Sequence, residues 1–306
     1  MPSRAIADSA APARRPLSPI EAASRDGMLF MGASLLFMLA ANAVARELAT
    51  RLPVGEIVFF RFLLALPIVL ACSLGAGGGP PFGPRRFLQP TQRRGLHVAR
   101  ALFVVAATAS FYASSRHLHF ADLVAIASST PIFVALLSWK LLGERVGARS
   151  VALTAIGFCG VLLVAFPGHF EIWSLGALAM ALFNTGAVLC TRSLGKTETT
   201  AAIGSRFAFY GLLITIPGLA LGWLMPHGAE LLLLAALGLC AGFAIHLHAH
   251  AFRRAAASVL APVDYFGVLL SVIIGFVAWS EIPSPFVIAG GLLIVSAGLL
   301  RFCRPG

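Results

Sequence analysis

Ten long apolar runs separated by short polar gaps organise this chain of 306 residues. They fall near 28–45, 54–75, 96–115, 120–141, 150–166, 172–190, 203–224, 230–250, 256–279 and 285–302. A bilayer core about 30 Å thick needs roughly 20 apolar residues per helical span. Helices around a soluble core would each keep a polar face, and these runs do not. The pattern predicts an all-α integral membrane protein with ten transmembrane helices. Residues 1–27 are rich in Ala, Pro, Ser and Arg, lack helical periodicity, and predict a disordered cytoplasmic tail. Arg14-Arg15 resembles the start of a twin-arginine export signal. The first apolar run, however, begins more than ten residues later, has spanning length and lacks a processing site, so it is expected to remain as the first transmembrane helix.

Charge then orients the spans. Lys and Arg in short loops mark the cytoplasmic side. With the N-terminus inside, seventeen of the 23 basic residues fall in inside segments. These are Arg4, Arg14, Arg15 and Arg25; Arg85, Arg86, Arg93 and Arg94; Lys140, Arg145 and Arg149; Arg192 and Lys196; Arg253 and Arg254; Arg301 and Arg304. The outside loops hold only Arg46, Arg51 and Arg116, while Arg61, Arg100 and Arg206 lie in spans or at their edges. Both termini are therefore expected in the cytoplasm, with the chain in a bacterial inner membrane. The net charge of +11 is explained by topology and by contact with anionic lipid. No basic stripe interleaved with aromatics points to nucleic acid. Five cysteines, odd in number and without a CxxC pair, indicate neither a disulfide framework nor a zinc site.

The chain also repeats itself. ADLVAIASSTPIFVALLSWKLLGERVGARS, from Ala121, and ASVLAPVDYFGVLLSVIIGFVAWSEIPS, from Ala257, share a small-residue start, a mid-helix Pro, and an aromatic and a Glu at the end. Glu144 and Glu281 hold equivalent places, and Gly143 of the first copy becomes Ser280 in the second. Five spans per half is an odd number, so the second half enters the membrane upside down. The expected units are residues 28–166 and 171–302, two five-helix repeats of inverted topology, an arrangement that lets a central site open to either side.

These features resemble the drug/metabolite transporter superfamily, in its ten-helix form with two EamA-type domains. The residues that carry the likeness are VGEIVFFRF with Glu56 and Arg61, the TPIFVALL and LLGERV segments, LCTRSLGKTETTA, and AFRRAAASVLAPVDYFGVLLSVIIGFVAWSE. The match covers roughly residues 28–302. It implies a secondary transporter with a substrate of the riboflavin, S-adenosylmethionine or amino-acid class.

Several polar residues within spans are candidates for the substrate site. Asp264, about eight residues into the ninth helix, is a cavity group that binds a cationic or hydrogen-bonding part of the substrate, or a proton; its alternative role is a protonated or hydrogen-bonded lock on helix packing. Tyr265 adds a ring and a hydroxyl. In the string His246-x-His248-x-His250, positions 246 and 250 share a helix face and 248 points elsewhere; His246, the deeper, is the substrate candidate. Asn42 and Asn184 are candidate cavity donors, or interhelical bonds. Ser128 and Ser129, before Pro131, suit a polar lining or close packing. Glu56 and Arg61 are expected to form a structural or gating ion pair, and Asp122 to cap the fourth helix. No metal site or cofactor is expected, and no Walker A pattern occurs to drive transport by ATP.

The expected function is movement of a small organic metabolite across the inner membrane by alternating access, with membrane lipid as a second partner and homodimerisation left open. Proton coupling and exchange both fit. The alternatives are an intramembrane enzyme that uses a metal or the histidines with Asp264, and a passive channel.

Overall fold

The computed structural model describes residues 19–74, 91, 93–130, 132–134, 136–137, 148–165, 172–198, 200–255 and 257–302. The described elements are helices: α1 (Pro19–Ala49), α2 (Val54–Leu74), α3 (Arg94–Ser114), α4 (Phe120–Ala127), α5 (Ala148–Ala165), α6 (Ile172–Leu194), α7 (Thr200–Thr215), α8 (Ala229–Arg254), α9 (Ala257–Trp279) and α10 (Pro285–Phe302). A 3-10 turn, Ile216–Leu221, ends α7. Stretches of α1, α3, α6 and α8 are each long and apolar enough to cross a membrane. One expectation is corrected: α1 starts at Pro19, inside the segment read as a tail. Pro suits the first helical position.

The helix pairing shows how the halves fit together. α1 packs most closely on α8, and α3 on α6; α8 also meets α2, as α3 meets α7. α1 touches α9, as α6 touches α4. Each pair becomes the other when every helix is exchanged with the one five places along the chain. Three contacts, α2 with α7, α4 with α9 and α5 with α10, map onto themselves.

Small residues permit these contacts. Antiparallel α1 and α8 meet at Gly27 and Ala255, at a hydrogen bond from Ser34 Oγ to the Ala244 carbonyl (2.8 Å), and at Phe37 against Phe243. Gly238 and Gly242 of α8 seat Leu64 and Ile68 of α2. A Cβ on Gly160 of α5 would sit 2.7 Å from the Gly290 carbonyl oxygen of α10, and one on Gly290 would sit 2.6 Å from that of Gly160.

The fourth span is broken. Ser128 and Ser129 form a turn after Ala127, and helical backbone resumes at Thr130. At the break the hydroxyls bond back into the preceding turn: Ser128 donates to the Val124 carbonyl (2.9 Å), Ser129 to Ile126 (2.5 Å) and Thr130 to Ala127 (2.8 Å). Half-helices of this kind line sites in membrane carriers.

Candidate functional site

A cavity of about 620 Å³ lies between the two sets of helices. Its walls follow helical periodicity. α1 presents Leu35, Met38, Leu39 and Asn42, and α3 presents Val104, Ala107, Thr108 and Phe111, both at i, i+3, i+4, i+7 spacing. α6 gives Met180, Asn184 and Val188; α8 gives Ile245, His248 and Phe252. The rest comes from Arg61, Phe62 and Ala65 of α2, the α4 break, Phe207 of α7 and Gly267 of α9. Lining residues thus come from four pairs of equivalent helices, while α5 and α10 stand outside. The volume is that of a site for a small organic ligand.

The lining is mostly apolar, with a few polar groups. Arg61 donates from Nη1 to the Tyr112 hydroxyl (2.6 Å) and from Nη2 to the Met38 sulfur (3.6 Å). Tyr112 is fully buried and fixes the guanidinium from behind. Asn184 Nδ2 lies 3.4 Å from the Met180 sulfur, and neither Asn42 nor Thr108 has a side-chain hydrogen bond among the described residues. Met180 and Met38 are soft acceptors, so these amides and the guanidinium keep most of their hydrogen-bonding capacity for a ligand.

The two ends of the cavity differ. Toward the α1–α2 turn the packing is dense: Leu48, Ile57, Tyr112, Phe120 and Leu123 are all fully buried. Above them, Arg46 Nη2 pairs with Glu281 Oε1, its guanidinium lies 4.4 Å from the Trp279 ring, and Glu281 Oε2 accepts from the Phe120 amide at 2.8 Å. Glu281 thus caps α4 from another part of the chain. Ser280 stands at φ 55°, in the left-handed conformation that closes α9, with the Glu281 amide bonded back to the Gly275 carbonyl (3.1 Å). At the other end, Val188, His248 and Phe252 are exposed.

Beyond that open end, Glu198 binds three groups: Thr91 and Arg206 at Oε1 and Oε2 respectively, and His97 Nε2 at 2.8 Å. Burial alone would raise the Glu198 carboxyl, but the hydrogen bonds from Thr91 and His97 and the positive charge of Arg206 hold it below the ordinary 4.5. The cluster ties the start of α3 to the α6–α7 turn and to α7.

The predicted site residues separate clearly. Asn42, Asn184, Ser128 and Arg61 line the cavity. Ser129 is buried, its hydroxyl bonded to its own backbone. His246 is not in this cavity's lining: its ring packs 4.3 Å from that of His250, and His248, two residues along and so on the opposite face, enters the cavity. The Glu56–Arg61 pair is also corrected. Five residues apart, they lie on different sides of α2. Glu56 instead accepts from the Leu224 amide (3.1 Å), and Arg61 reaches Tyr112. Asp122 does not cap α4; His119 holds that position. Asp264 and Tyr265 fall on α9, but their side chains lie outside the described residues, as does Glu144. The sequence reading missed Thr108 and His248. Extending the α3 and α8 faces from Phe111 and Phe252 by helical spacing finds both.

Comparison with known proteins completes the picture. A model described as the EamA-like transporter family matches residues 26–166. A pseudopaline exporter of Pseudomonas aeruginosa is 30% identical over 260 residues, covering 84% of this chain and 88% of the relative. A riboflavin transporter of Rhizobium johnstonii is 28% identical over 78% of this chain and 76% of its own. An S-adenosylmethionine uptake transporter of Rickettsia felis is 23% identical over 87% and 88%. One crystal structure shares the fold with a TM-score of 0.64 at 20% identity, covering 92% of this chain and 96% of its own.

Proposed function

The chain belongs to the EamA-like transporters of the drug/metabolite transporter superfamily and moves a small metabolite; we propose that it does so by alternating access through the cavity between α1–α4 and α6–α9. The observation that carries this is the symmetric lining, in which each helix facing the cavity has its counterpart there five places along the chain. A site shared equally by two inverted halves can pass from one side to the other when the halves exchange conformations. The exchanging units are residues 28–166 and 171–302.

The membrane is the bacterial inner membrane, with both termini in the cytoplasm, as the arginine distribution requires. On that orientation the Arg46–Glu281 end is periplasmic and closed, and the His248 end faces the cytoplasm. The structure is then an inward-facing state. Leu221, Val277 and Ile282, exposed and apolar, meet lipid. The substrate binds among Asn42, Asn184, Arg61 and His248, with Asp264 and Tyr265 as further contacts. The riboflavin, S-adenosylmethionine and amino-acid classes all suit a cavity of this size.

The test is reconstitution in liposomes with uptake and counterflow of riboflavin, S-adenosylmethionine and aromatic amino acids. Saturable uptake of one class, lost when Asn42→Trp fills the cavity, supports the reading. Saturable uptake that survives Asn42→Trp rules out this cavity as the route.

A further inference from the structure

Arg61 carries its charge into the cavity with no carboxylate within 4.0 Å among the described residues. Among the described residues Arg25, Arg46, Arg51 and Arg206 each have a carboxylate within 4.0 Å; Arg100, Arg116 and Arg254 bond to carbonyls, a hydroxyl or a histidine instead, and of all these arginines Arg61 is the one in the cavity lining. Arg61 has only the Tyr112 phenol and the Met38 thioether. A guanidinium is permanently charged and presents five donors in a planar fork matched to a carboxylate. Tyr112, fully buried, anchors one arm and leaves the others toward the cavity. Holding a cation in a weakly polar site is costly unless an anion joins it. Phe62, Phe111 and Phe207 stand along the same lining.

We infer that Arg61 is the anion subsite of the cavity and that the transported molecule is an organic acid. Its carboxylate pairs with the Arg61 guanidinium, and its apolar or aromatic body lies against the phenylalanines. The inference rests on the cavity being the substrate site and narrows its substrate class. It also orders the candidates: a solute with a free carboxylate outranks a neutral one such as riboflavin.

The experiment measures binding to the full-length protein in detergent through the ligand-induced shift in its unfolding midpoint. The probes are 4-phenylbutanoate and its carboxamide, which share shape and differ in charge. The acid should bind about tenfold or more tightly than the amide. Arg61→Gln should abolish that preference, and Arg61→Lys, which keeps the charge but not the fork, should retain part of it. Equal binding of acid and amide to the wild type, no binding of either, or a preference that survives Arg61→Gln would overturn the inference. If either variant fails to fold, the wild-type acid–amide comparison still decides. Counterflow of a neutral solute by a protein blind to the acid–amide difference would remove this inference and leave the carrier reading intact. Acid-selective binding without counterflow of any solute would leave Arg61 as an anion-binding subsite and remove the carrier reading.

Discussion

Glu281 closes the α1–α2 end of the cavity by two bonds, and removing it should open that end by a calculable amount. Its Oε1 pairs with Arg46 of α1 and its Oε2 accepts the Phe120 amide of α4. The Arg46 and Glu281 side chains are only 14% and 9% exposed, so the pair is weakly screened. Loss of a buried ion-pair partner costs about 3 kcal/mol, and loss of a helix cap about 1 kcal/mol. Glu281→Ala should therefore favour opening by about 4 kcal/mol, close to a thousandfold in the equilibrium. Glu281→Gln keeps an acceptor for the amide and loses only the charge. It should shift the balance by about 1.5 kcal/mol, roughly tenfold. Hydrogen–deuterium exchange of the first amides of α4 reads this opening directly. The expected order is wild type slowest, Glu281→Gln intermediate and Glu281→Ala fastest, with the inner ends of α3 and α7 unaffected. Equal exchange rates at Phe120–Leu123 in all three proteins would refute the latch. Uniform acceleration through every helix would refute it too, since it would mean that Glu281 merely stabilises the whole fold.

The remaining predictions concern other positions. Glu198 is held below its ordinary 4.5, so it favours the folded protein above that value and loses its contribution as pH falls through the lower folded value. In thermal unfolding, Glu198→Gln should cost about 1–2 kcal/mol at neutral pH, and the gap should shrink as pH falls below 4.5. Ser280→Gly relieves a left-handed conformation (φ 55°) and should raise the unfolding midpoint, by an amount equivalent to about 0.5–1 kcal/mol. Gly160→Ala places a methyl 2.7 Å from the Gly290 oxygen and should cost about 1–3 kcal/mol; Gly32→Ala, with nothing within 4 Å, should cost far less. In transport assays His248→Ala should raise KM about fivefold, the value of one neutral hydrogen bond, while His246→Ala should leave KM unchanged.

Periodicity made the helices legible, because an apolar run of spanning length allows one solution in a bilayer. Which helices pair was not legible there: α1 on α8 and α3 on α6 come from the folded chain. Partners across the fold were less accessible. Glu56 and Arg61 look like a pair in one dimension, but 100° per residue over five residues separates them. Leu224 and Tyr112 are their actual partners, from elements far along the chain. The histidine string shows the same limit. The relation of His246 to His250 follows from spacing, but the face turned toward the cavity depends on how α8 packs against α1 and α2. Glu281 could be matched to Glu144 by alignment, whereas its role as the cap of α4 needed the folded chain. The change from Gly143 to Ser280 also becomes interpretable only there, as a serine in a conformation that glycine adopts freely.

A carrier has one cavity opened alternately to either side of the membrane. The most direct measurement is counterflow in proteoliposomes. Vesicles are loaded with unlabelled substrate and diluted into a trace of the labelled compound. A carrier predicts transient accumulation of label above equilibrium, saturation with concentration, and loss of both in Asn42→Trp. Label that only equilibrates, at a rate linear in concentration and without overshoot, would contradict alternating access and describe a channel.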